Sequence, residues 1–194
     1  MKKMLTLLFI CFPVYVLQAN CGGQGKGQGK AQGGCQACQG CQVALPAKAE
    51  KLGLPVEQWE RLWMDEIVAH DLYGQLDAQT RKPVFRNIGR SETHHREMIA
   101  GLLEAAGHPL PEAPEAGAYP DAELQKLYTQ LLARGMKSEN DAFKVGEEFE
   151  ILDIAELEAA LKTGGLSEAE IQVLTALRDA SKRHLSAFQR QLNR

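Results

Sequence analysis

The sequence predicts an all-α protein: four long helices in a bundle, with one long crossover and one short extra helix. Three observations lead there. Apolar residues recur three and four apart along four long segments, the spacing of one buried helix face. No run alternates apolar and polar residues as a half-buried strand would. The stretch "PLPEAPEAGAYP" breaks the helical pattern midway and holds too many prolines to be helical throughout, so it reads as a crossover between helix pairs.

The elements follow in chain order. Residues 1–19 read as a secretory signal peptide. Lys2 and Lys3 form a basic start, an apolar run spans Met4 to Leu17, and Ala19 is the small residue before the expected cleavage. The apolar run is shorter than the ~20 residues a membrane span needs. Acylation at Cys21 would make a lipoprotein, but Asn20 just before it fits that signal poorly, so export to the periplasm or outside is expected. Residues 20–45 are Gly, Gln and Lys with cysteines and nothing to bury, a flexible tether. Removing the signal removes Cys11 and leaves Cys21, Cys35, Cys38 and Cys41, an even set that fits two disulfides in an oxidising compartment. The spacing of Cys35, Cys38 and Cys41 also admits capture of a soft metal such as Cu(I).

From residue 46 to 194 the pattern is helical. The first helix is expected from about Pro55 to Ala78 and the second from about Pro83 to Ala106, ending at Gly107-His108-Pro109. After the crossover comes a shorter helix, about Asp121 to Arg134. The third long helix starts at Ser138 as N-cap and runs to about Lys162. The fourth starts at Ser167, where "SEAE" is a capping box, and runs to about Leu192. Four long helices joined through one long crossover are the layout of a ferritin-like bundle.

Composition bounds the function only weakly. The 194 residues are 44% hydrophobic and 24% charged with a formal net charge of -3, so no basic field calls for nucleic acid. The apolar stripes say more. On the second helix the core positions are Phe85, Ile88, Glu92, His95, Ile99 and Leu102. On the first they are Trp59, Leu62, Glu66, Ala69, Tyr73 and Leu76, on the third Phe143, Gly146, Glu150, Asp153 and Leu157, and on the fourth Leu174, Leu177, Ser181, His184 and Phe188. Each stripe is broken by polar residues near the middle of its helix. Helices of similar length packed antiparallel bring those breaks to one level. Four carboxylates (Glu66, Glu92, Glu150, Asp153) and two imidazoles (His95, His184) would then meet in an apolar core. Ionised and unpaired, each carboxylate would cost several kcal/mol in lost hydration. Two divalent cations would cancel the four charges, and oxygen and imidazole ligands suit iron first, with manganese as the second choice. Glu147 and Glu148 compete for the third-helix position. Tyr73 and Ser181 are secondary candidates, Tyr73 read mainly as core.

The segments "MDEIVAHDLY", "FRNIGRSETHH", "LQKLYTQLLARG", "AFKVGEEFEILDIAEL" and "SKRHLSAF", in that order, resemble the bacterial and archaeal domain of unknown function 2202, a ferritin-like family. The resemblance covers about residues 55 to 192. It implies a ferritin-like bundle with a carboxylate-and-histidine metal site, carried over to Glu66, to Glu92 with His95, to Glu150 with Asp153, and to His184. Ser181 stands where the wider ferritin superfamily has a second Glu-x-x-His glutamate, and Asp153 is the candidate substitute. The expectation is an exported protein with a dinuclear iron or manganese centre, acting as an oxidoreductase on dioxygen or peroxide or as a metal oxidase. No two-pair cysteine set supplies an internal donor, so electrons would come from an external one; a homodimer is compatible with this. The alternatives are a non-catalytic metal-delivery protein that works through its Cys-rich tether, and a metal-free interaction bundle. In a metal-free bundle, Glu92→Ala would be neutral or stabilising through relief of buried charge.

Overall fold

The computed structural model describes residues 51–194. The expected signal peptide, the tether and Cys21, Cys35, Cys38 and Cys41 lie outside the described residues. Within them the chain forms five helices and no strand.

Helix α1, Val56–Thr80, is entered through Pro55 and carries Glu57 in its first turn, where a carboxylate favours the helix dipole. It runs two residues past the expected Ala78. It stops at Arg81, whose left-handed backbone (φ 54) lets its N–H bond to the Asp77 carbonyl. Asparagine or glycine is the usual choice there, so sequence alone did not mark the stop. Helix α2, Pro83–Ala105, begins on proline, whose missing N–H costs nothing in a first turn. The short helix α3, Ala122–Gly135, is capped by Asp121, whose carboxylate accepts from the Glu123 and Leu124 N–H groups. Helix α4, Glu139–Ala160, is capped by Ser138. Helix α5, Glu168–Leu192, has the complete Ser167/Glu170 capping box.

The four long helices close a ring. Helix α1 packs on α2 and α4, and α5 packs on α4 and α2, while α1 with α5 and α2 with α4 make no close backbone approach. Neighbours run antiparallel. Along α1 and α2, Glu66 meets His95 whereas Tyr73 lies against Gly89. Along α4 and α5, Glu150 faces His184 whereas Gly146 lies against Phe188. Helix α3 sits outside the ring against α1 and α4. The crossover is tied to α1 by Tyr119, which donates its hydroxyl to Asp71 Oδ2 at 2.8 Å.

One layer of the interior is aromatic. Tyr73 stands 5.4 Å from Phe188, and Phe85 stacks on Phe143 at 5.5 Å. Each such ring, fully buried, contributes roughly 1.5–3 kcal/mol. Gly146 makes this layer fit, because a Cβ there would come within 2.6 Å of the Phe188 ring. All the expected stripe residues of α1, α2 and α5 are buried, and so are those of α4 except Asp153. Among the described residues, no helix is long and apolar enough to cross a membrane.

Candidate metal centre

Directly beyond the aromatic layer, the four polar breaks meet. Helix α1 supplies Glu66, α2 supplies Glu92 and His95, α4 supplies Glu150, and α5 supplies His184, all five buried. The Glu92 and His95 pair works because residues three apart share a helix face.

Glu92 is the hub. Its Oε2 lies 2.6 Å from His95 Nδ1, and its Oε1 lies 3.1 Å from His184 Nδ1. His95 Nδ1 is also 3.3 Å from Glu66 Oε2, and His184 Nδ1 is 3.6 Å from Glu150 Oε2. Two triads result, Glu66–Glu92–His95 and Glu92–Glu150–His184, each with its ligand atoms within 4.8 Å of one another. The two imidazoles stack side by side, ring centres 5.5 Å apart.

Hydrogen bonds aim these groups from behind. Ser91 Oγ is 3.2 Å from His95 Nε2, so it fixes the far side of that ring. Tyr73 donates its hydroxyl to Glu150 Oε1 at 2.6 Å, which leaves Oε2 facing His184. Sequence reading missed Ser91, although a hydroxyl four residues before a core histidine lies beneath its ring.

The remaining candidates divide. Asp153 joins neither triad and keeps partial exposure as a residue. Its carboxyl still belongs electrostatically to the centre: burial, then Glu66 and Glu150, push it well above the usual range, against a hydrogen bond with Ser181. Ser181 itself is buried and donates to the Leu177 carbonyl at 3.0 Å. Glu147 turns away from the centre to accept from Gln189, and Glu148 pairs with Arg134.

Without cations, the charges are managed by protons. Burial pushes the Glu66 carboxyl up to about 8 against the pull of His95. Burial acts on Glu92 the same way, yet His184 and His95 outweigh it and hold that carboxyl well below the ordinary range. Burial alone would lower His184, but Glu92 and Glu150 raise it to about 10. Burial raises Glu150 despite His184. Glu92 therefore sits as an anion between two imidazoles. Removing Glu92 would leave two buried imidazoles without the anion between them, which is expected to destabilise the bundle.

Do these residues fit metal ions? Ligand atoms bonded at about 2.1 Å to one ion stand about 3 Å apart, and the contacts here run from 2.6 to 3.6 Å. Glu92 Oε1 and His184 Nδ1 are buried and neither makes a hydrogen bond, even though only 3.1 Å separates them. Two donor atoms that close and poorly aligned with each other leave a place where one cation could join them. The donor set is oxygen and imidazole, without thiolate, which suits iron or manganese.

The family model for the uncharacterized protein domain DUF2202 matches residues 59–194, which contain every residue of this centre. The chain belongs to the DUF2202 family. A relative in Methanocaldococcus jannaschii, the uncharacterized protein MJ0754, is 34% identical over 148 residues, 76% of this chain and 77% of its own length. The crystal structure of hypothetical protein MJ0754 superposes with a TM-score of 0.70 at 32% identity, covering 78% of this chain and 86% of that one. The DUF2202 assignment thus agrees with the resemblance read from the helix motifs. The description of MJ0754 adds no activity.

Proposed function

We propose that this DUF2202 protein is a ferritin-like four-helix bundle holding a dinuclear iron or manganese centre, and that it works as an oxidoreductase on dioxygen or peroxide or as a metal oxidase. In this reading Glu66, Glu92 and His95 hold one ion, and Glu92, Glu150 and His184 hold the other. The observation that carries it is the double use of Glu92, whose two oxygens face two different buried triads. Bound there, a pair of redox-active ions would supply electrons to an oxidant one at a time or together.

The chain's own groups set up that chemistry. Glu92 would serve both ions, because its two oxygens face the two triads. Ser91 and Tyr73 hold His95 and Glu150 in orientation. The aromatic layer of Tyr73, Phe85 and Phe188 excludes water on one side, which strengthens every charge interaction inside. Asp153, whose carboxyl burial and the neighbouring Glu66 and Glu150 drive toward the neutral acid, would hold a proton close to the centre. Residues 1–19 direct export, and electrons arrive from an external donor.

Elemental analysis of protein purified from its native compartment tests the metal reading, repeated with His95→Ala and His184→Ala. Two ions per chain falling to one or none in the variants supports it; no iron or manganese in the wild type ends it. Turnover of peroxide no faster than by free metal would end the enzymatic part alone.

A further inference from the structure

The surface over the α2 and α5 side of the centre carries a groove with a marked charge. Among the described residues, Lys182, Arg183, Arg190 and Arg194 line it without an Asp or Glu side chain. Its apolar part includes Ile88 from α2. His184 belongs to the same lining while its Nδ1 faces Glu92 and Glu150. His184, itself buried, therefore lies between this groove and the interior centre; Glu66, Glu92, His95 and Glu150 are not part of that lining. This local excess of cations stands on a chain whose formal net charge is -3.

The geometry points to this groove as the docking site for an acidic electron-carrier protein that delivers electrons to the centre past His184. The inference rests on the redox reading above, which needs an external donor. Spacing selects a protein over a small anion. Arg190 follows Lys182 by eight positions on α5, about 12 Å along the axis at ~1.5 Å per residue. A lone oxyanion needs its cations converging within hydrogen-bond reach, whereas a row this long matches the acidic rim of a macromolecule. Lys182 also pairs with Glu158 at 2.7 Å, so docking exchanges that surface contact for one with the partner. The tether has no carboxylate between residues 20 and 45 and offers nothing to pair with this row. In each encounter the donor's reduced centre would lose one electron, and a trivalent ion, which Glu92, Glu150 and His184 would hold, would gain it and become divalent.

The test uses the full metal-loaded protein and reduced plant-type [2Fe–2S] ferredoxin as the acidic probe, with an uncharged hydroquinone as the comparison reductant. Stopped-flow absorbance gives the rate of ferredoxin oxidation from low to 0.3 M NaCl, and titration at low salt gives ferredoxin binding. The wild-type rate should fall steeply with salt. The Arg190→Glu/Arg194→Glu variant should react at least tenfold more slowly at low salt and lose the salt dependence, with the hydroquinone rate unchanged. Lys182→Glu, made separately, should act in the same direction. A salt-independent wild-type rate, or charge-reversed variants that keep the wild-type rate, overturns the proposal. An equal loss with hydroquinone also overturns it, since the damage would lie in the centre. Capture by phosphatidylglycerol vesicles with no response to ferredoxin overturns it in favour of an anionic membrane. Protein lacking metal by elemental analysis would take no electrons from either reductant, which is failure of the redox reading; salt-sensitive ferredoxin binding still decides the groove.

Discussion

Replacing Glu66 by glutamine separates the work of protons from the work of cations. Burial raises the Glu66 carboxyl to about 8, so in metal-free protein at pH 7 it carries a proton. Glutamine has the shape of that protonated acid and still places a donor beside its neighbours. Metal-free Glu66→Gln should therefore stay within about 1 kcal/mol of wild type, a shift of about 2–4 °C for a domain approaching 150 residues. With manganese the outcome differs. An ion at 100 times its Kd adds about 2.7 kcal/mol of stability, and two independent ions add about twice that. The substitution removes an anionic ligand from the Glu66–Glu92–His95 triad and leaves Glu92–Glu150–His184 complete. Bound manganese should drop from two ions per chain to one, and about half of the manganese-dependent rise in Tm should disappear. Thermal melts of chelator-treated protein with and without MnCl2, alongside elemental analysis, read both quantities. Retention of two ions and the whole rise would remove Glu66 from the ligand set. A metal-free loss above about 3 kcal/mol would show that Glu66 is ionised in the empty centre and that protons do not hold it.

Tyr73→Phe leaves Glu150 without its 2.6 Å donor; the second ion should bind about 10–100-fold more weakly with the first unchanged, as competition with a metal-sensitive dye would measure. Glu170→Ala should cost about 3–5 kcal/mol in chemical denaturation, because the Glu170 carboxylate accepts from the Gly53, Leu54 and Ser167 N–H groups and from Trp59 Nε1. Those donors outweigh burial and depress the Glu170 pKa, so its stabilisation is present above the usual carboxylate range and lost as pH falls through the lower folded value; the variant should lack that acid-side loss. At the empty centre the sign reverses. Glu66 at about 8 and His184 at about 10 are both raised, so the stability each contributes is complete below its unfolded pKa and lost as pH rises through the folded one. Metal-free protein should melt progressively lower from pH 6 to pH 10, while manganese affinity rises over the same range because binding releases protons. Gly146→Ala, forced within 2.6 Å of Phe188, should cost about 1–3 kcal/mol.

What could be read from sequence was local or periodic. Ser138, Pro83 and the Ser167/Glu170 box mark helix starts through bonds made within one turn, so their residue types suffice. Glu66, Glu92, Glu150 and His184 were legible because each interrupts an otherwise apolar stripe. The relations that escaped reading join distant parts of the chain. Glu170 looked like a cap, yet it also anchors Gly53 and Leu54, more than a hundred residues away. The hydrogen bond from Tyr73 to Glu150 spans α1 to α4, and no spacing rule within one helix could announce it. Asp153 shows a subtler limit. It shares the α4 stripe with Glu150 and its carboxyl is buried near Glu66 and Glu150, yet it joins neither triad, so periodicity supplied the face but not the distances.

The protonation pattern also describes how the chain could stay folded before any cation enters. Four ionised carboxylates in this core would repel one another, and the chain avoids that state without metal. Glu92 alone is held firmly as an anion, clasped by two imidazoles, while Glu66, Glu150 and Asp153 are driven toward the neutral acid. Entry of two cations would displace those protons and convert neutral acids into ligands, with Glu92 already in its working position. Loss of stability in Glu92→Ala is thus expected whether or not metal binds. The discriminating substitutions are those at carboxyls that the empty protein keeps protonated, since only cation binding needs their charge.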